Sequence, residues 1–164
     1  MKYSFTTYWH IDAPIEDVWE ALYDSQSWPR WWKNVKKVTV LKEADKDGVG
    51  GVQHHEWGTA LPYKLIFDTR TTKVERPHLL LADSLGQLVG TGRWQLNAEG
   101  DVTIVRYDWN VRTTKKWMNL LAPILRPIFA WNHKAVMDEG GKALARQLNT
   151  RLVHEPRHVI NVTA

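Results

Sequence analysis

The residues of this 164-residue chain with the most chemical potential sit in two short stretches. The first is "FAWNHKAVMDEGG" (129–141). At about 100° per residue, Phe129, His133, Val136, Met137, Gly140 and Leu144 share one helix face, with Lys134, Asp138, Lys142 and Arg146 roughly opposite. An imidazole on that apolar face can hold a carbonyl or hydroxyl, or move a proton near neutral pH. The alternative is a core histidine hydrogen-bonded to a strand or to Asn132. Gly140 and Gly141 leave space, or let another element approach closely. The second stretch is "HHEW" (54–57). Neighbours on a strand face opposite ways, so His54 and His55 cannot easily ligate one ion. His54 and Glu56 share a face, but two ligands are too few for a metal site.

Other chemistries lack their residues. With no cysteine there is no thiol nucleophile, disulfide or cysteine-held metal. There is no GxSxG elbow, no P-loop and no GxGxxG after a strand; "GTGRW" is a glycine-containing strand. We expect no cofactor and no metal.

The elements that would position these residues follow from hydrophobic period. "YSFTTYWHI" (3–11) alternates as a strand, and Asp12-Ala13-Pro14 then starts a helix. Glu16 and Asp17 suit its positive end, and Ile15, Val18, Trp19 and Leu22 form its buried face. Residues 27–33 make a second short helix or turn around Pro29. Strands follow at 35–43, 52–57, 63–75, 79–84, 88–96 and 102–111, and a helix at 115–149, kinked near Pro123 and Pro127. The stretch 151–164 lacks a clear period and reads as a tail after a single domain of residues 1–150. An antiparallel sheet of about seven strands must curl, and only the last helix is long enough to cover its concave face. One helix cannot fill that concavity, so a cavity is expected.

Strand alternation points Trp57, Tyr63, Leu65, Phe67, Trp94, Tyr107 and Trp109 inward, as an aromatic pocket for a flat or long apolar ligand or as plain core. Arg93 and Arg106 alternate with them and turn outward, unless a bulge brings either to a ligand carboxylate or enolate. The stretch "SWPRWWKN" (27–34) places Trp28, Trp31 and Trp32 where they pack one end of the fold, with Trp19 behind them. Arg30, Lys33, Lys36 and Lys37 flank these indoles, a mix also found at membrane surfaces, though so short a stretch gives little anchoring area.

Composition narrows the class further. Apolar residues are 43% and charged ones 24%, ordinary for a folded domain. No apolar run approaches the roughly 20 residues that span a bilayer, and the first residues lack the apolar core of a secretion signal. A cytoplasmic protein, monomer or homodimer, is the expectation. The net charge of +4 is uneven: residues 1–111 carry 13 basic and 15 acidic groups, residues 112–164 carry 9 and 3. The basic segment reads as a solvated helix face, and no nucleic-acid motif accompanies it.

Together "IDAPIEDVWEALYDSQSWPRWW", "GTGRWQL", "TIVRYDWNV" and "FAWNHKAVMDEGGKALARQL" resemble the polyketide cyclase/dehydrase-like branch of the START-like (SRPBCC, helix-grip) superfamily, across about residues 3–149. The resemblance implies an α+β helix-grip fold, with two short helices after the first strand and a long C-terminal helix across a curved antiparallel sheet. It also implies a hydrophobic pocket between sheet and last helix, but carries no shared catalytic motif. The main reading is a binder of a hydrophobic or aromatic, lipid- or polyketide-like molecule, held by Trp57, Tyr63, Leu65, Phe67, Trp94, Trp109, Phe129, Val136 and Met137. The alternative is a cofactor-independent cyclase, aromatase or dehydratase in which His133, with Tyr107 or Glu56, shuttles protons. A lipid carrier docking on membranes through the tryptophan-rich end is the third.

Overall fold

A computed structural model describes residues 2–59, 64–114 and 122–163. Strand β1 (Lys2–Ile11) leads into helix α1 (Ile15–Tyr23), a 3-10 turn at Ser25–Ser27 and the single-turn helix α2 (Trp28–Trp31). Then come β2 (Val35–Lys42), β3 (Val52–Gly58), β4 (Lys64–Glu75), β5 (Leu79–Gly86), β6 (Leu88–Glu99) and β7 (Val102–Thr113). Helix α3 (Ala122–Gln147) and β8 (Arg157–Thr163) complete the described chain.

All pairs are antiparallel, and the eight strands form one sheet in the order β2-β3-β4-β5-β6-β7-β1-β8. The sheet is curved and unclosed. Register shifts in β2, at Val35/Lys37 and Val40/Lys42, and in β4 near Thr71, interrupt the regular pairing, and such irregularities add local twist. The eighth strand corrects the expectation of a tail. Arg157–Thr163 pairs with β1 from Tyr8↔Arg157 to Lys2↔Thr163. His158, Ile160 and Val162 turn inward in alternation with exposed Arg157, Val159, Asn161 and Thr163.

The three-tryptophan stretch is mostly interior. Trp32 is wholly buried and Trp28 nearly so, leaving Trp31 partly exposed. Buried indole N–H groups need acceptors. Trp32 Nε1 donates to the Val136 carbonyl at 3.1 Å, and Trp9 Nε1, from β1, donates to the Met137 carbonyl at 3.1 Å. Those carbonyls are the helical acceptors for the amides of residues 140 and 141, four positions on. Both positions are glycine. A Cβ at Gly140 would overlap the Trp32 ring, and one at Gly141 would stand 2.9 Å from Trp9 Nε1. The glycines thus let two indoles lie against the helix and share carbonyls its backbone already uses. The "GG" pair is a socket for tryptophans.

The core has two centres. One gathers Trp9, Trp19, Trp28, Trp32, Trp94, Leu22 and Leu144 beneath α1, α2 and the later turns of α3. The other gathers Tyr3, Phe5, Phe67, Leu88, Trp109 and Val111 along the sheet.

Candidate ligand-binding site

The second core centre is not solid. Between the concave face and α3 lies a cavity of about 110 Å³ with almost wholly apolar walls. Strand β1 contributes Tyr3 and Phe5, β3 Trp57, β4 Leu65 and Phe67, and β7 Tyr107, Trp109 and Val111; α3 closes it with Phe129, His133, Val136 and Met137. Nine residues expected at a site meet here: Trp57, Leu65, Phe67, Tyr107, Trp109, Phe129, His133, Val136 and Met137.

Two others, Trp94 and Glu56, do not. Trp94 is buried in the core beneath α2, its ring stacked on Tyr107 at 4.0 Å, and does not line this cavity. Alternation placed it inward correctly, but its position along β6 sets it further along the concave face, beside Trp9 and Trp28. Glu56 lies on the outer face beside Lys64 (3.7 Å), because its strand neighbours His55 and Trp57 take the inner one. Tyr63 lies outside the described residues.

His133 stacks face to face on Phe5, with ring centroids 4.0 Å apart and planes within 15°. Its Nε2 is buried and has no hydrogen-bond partner. Burial, and secondarily the charge of His158, pushes its protonation down to about 3. It therefore stays neutral at physiological pH. Burial likewise raises the Tyr107 phenol, which stays protonated.

Residues that the sequence reading did not select include Tyr3, Phe5 and Asn132 in the cavity wall. Tyr3 and Phe5 alternate with Ser4 and Thr6 on β1 and were legible as inward-facing. Arg106 turns outward as its alternation requires, to Asp108 at 3.0 Å. The two histidines of "HHEW" diverge: His54 Nδ1 meets Asp68 at 2.6 Å outside, while His55 Nε2 meets Thr69 Oγ1 at 3.0 Å inside. Among the described residues no helix is long and apolar enough to cross a membrane.

A curved antiparallel sheet gripping a long C-terminal helix over an apolar cavity defines the helix-grip class of proteins. Residues 2–153 match the family model for polyketide cyclase/dehydrase and lipid transport proteins, and the chain belongs to that family. Solved structures with the same fold include a START superfamily protein from Mycobacterium smegmatis (TM-score 0.73, 14% identity, covering 90% of this chain and 97% of that one). The Zhui aromatase/cyclase from Streptomyces sp. R1128 is also similar (TM-score 0.66, 15% identity, 90% and 96% covered). So is the di-domain aromatase/cyclase BexL of the BE-7585A biosynthetic pathway (TM-score 0.71, 18% identity), of which this chain covers 51% while 92% of its own length is matched. No curated protein matches the chain.

Proposed function

We propose that this protein binds a hydrophobic or aromatic small molecule, lipid- or polyketide-like, between the sheet and α3, in the cytoplasm. The observation that carries this reading is the apolar cavity itself. It is bordered by aromatic side chains and by a neutral imidazole whose Nε2 has no partner. Apolar walls with a few placed polar groups are the usual chemistry of a small-molecule site.

The alternative, proton transfer by His133, has weaker support. A general base works best with a pKa near the working pH, and burial holds His133 far below it. Glu56 faces away from the cavity and cannot assist. A hydrogen-bonding or orienting role for His133 fits its neutral state.

Met137→Trp tests the site. The larger side chain projects from α3 into the cavity, so affinity for an apolar fluorescent probe should fall at least about tenfold, the range of one or two kcal/mol of overpacking. Met137→Leu, nearly equal in volume, should bind as the wild type does. Equal probe affinity in all three proteins, measured by fluorescence titration, would place the bound molecule elsewhere.

A further inference from the structure

Beyond the apolar cavity, the concave face holds a second space of about 310 Å³. Trp57, Phe67, Tyr107 and Trp109 border both, so these four rings form a waist between two chambers. The far chamber has different chemistry. Strand β3 sends Gln53 and His55 into it, β4 sends Thr69, and the 3-10 turn adds Ser25. Ser25 Oγ donates to Gln53 Oε1 at 2.6 Å.

His55 is the unfinished group in this wall. It is 3% exposed, and its ring stacks on Phe67 with centroids 5.4 Å apart and planes within 8°. Its Nε2 is engaged with Thr69, but Nδ1 is buried with no partner. Such an atom has given up hydration without replacing it, and native interiors rarely leave that uncompensated. Burial pushes its protonation down to about 4, so the ring is neutral and offers one donor and one acceptor. The Thr69 hydroxyl can take either role toward Nε2, leaving Nδ1 as the complementary one. A ligand hydroxyl satisfies Nδ1 in both cases, whereas an ion finds no opposite charge on this ring.

Size points the same way. Pockets for drug-sized ligands run from roughly 300 to 1,000 Å³, and the apolar chamber alone is far smaller. A ligand of that size seated under α3 finds the further room it needs past the waist. We propose that the far chamber is the subsite for the polar end of the ligand, with His55 Nδ1 taking a phenolic or alcoholic hydroxyl. The ligand is then an elongated amphipathic molecule with an apolar body under α3 and a hydroxylated end against β3 and β4. This rests on the cavity-binding reading above.

The test uses 4-octylphenol and octylbenzene, which differ by one hydroxyl, in titrations of the wild type and His55→Phe. Phenylalanine preserves the stack on Phe67 and removes both ring nitrogens. The ratio of phenol to hydrocarbon affinity should fall about five- to tenfold in the variant, the value of one hydrogen bond. Hydrocarbon affinity should stay within about twofold, since its contacts are unchanged. An unchanged ratio overturns the subsite and leaves the apolar site standing. If neither compound binds the wild type, the cavity reading fails and this one falls with it. Should His55→Phe not fold, the wild type labelled with ¹⁵N-histidine gives the answer. The His55 ring nitrogens should shift on saturation with octylphenol and not with octylbenzene; no difference between the two overturns the proposal.

Discussion

Replacing Trp32 with alanine should destabilise the protein by about 3–5 kcal/mol, the range for truncating a large buried aromatic. For a chain of this size the thermal midpoint would fall by roughly 6–20 °C. The sharper result concerns Gly140. In the wild type, Gly140→Ala should be destabilising by about 1–3 kcal/mol less the gain in helix propensity, because its methyl group meets the Trp32 ring. In the Trp32→Ala background that obstacle is gone. There the same substitution should stabilise by up to about 1 kcal/mol, as alanine does in an ordinary helix. The reversal of sign is what a double-mutant cycle reads. Equal effects of Gly140→Ala in the two backgrounds would mean that the glycine does not serve the indole.

Acidification should unfold the protein earlier than its carboxylates alone require. His55 and His133 are both buried neutral, with protonation pushed down to about 4 and about 3. In the unfolded chain each returns to about 6.5. Between those values the unfolded state binds more protons than the folded one, so stability rises with pH and is lost as pH falls. Both groups contribute nothing above about pH 7, where each is neutral in either state. Below about pH 6 each removes about 1.4 kcal/mol per pH unit, and together they remove nearly 3. Denaturant titrations between about pH 6.5 and pH 4.5 should show that slope. In His133→Phe the slope should drop by about half. A wild-type curve flat across this window would mean that these imidazoles are hydrated in the folded protein.

Much of this architecture can be read along the chain. Strand β1 alternates cleanly because Tyr3, Phe5, Trp9 and Ile11 are large and apolar, with the small Thr7 fitting among them. Helix α1 and the sheet meander follow the same logic. Strand β8 escapes because its inward set begins with His158, which a hydropathy pattern counts as polar, while Val159 points out. That histidine is nonetheless interior, between Thr7 at 3.1 Å and Asp138 at 2.6 Å.

The site was legible as a face but not as a volume. Alternation marks Trp57, Trp94 and Trp109 identically, yet only depth along the curved sheet decides which space each borders: Trp94 the far chamber alone, Trp57 and Trp109 both. His55 was hidden for another reason. In "HHEW" the pairing of two histidines draws attention to metal, while the step of two from Trp57 already places His55 inside. Gly140 and Gly141 were legible as room for a neighbour, but the neighbours are aromatic rings from β1 and α2, far away in sequence.

The distribution of those anchors along α3 has a mechanical side. Trp9 attaches at Met137 and Trp32 at Val136, and the enclosed positions Ala143, Leu144 and Ala145 lie beyond them. Toward the other end, Ile124 and Trp131 are 68% and 56% exposed. The helix therefore resembles a shutter hinged at one side: lifting its later turns tears two indoles from their acceptors, whereas its early turns set Phe129 and Ala130 over the second core centre without such anchors among the described residues. Local opening follows the cheaper path. Amide hydrogens before Asn132 should exchange well ahead of those after Met137, and the loosely held end is the side of Phe129, over the apolar chamber.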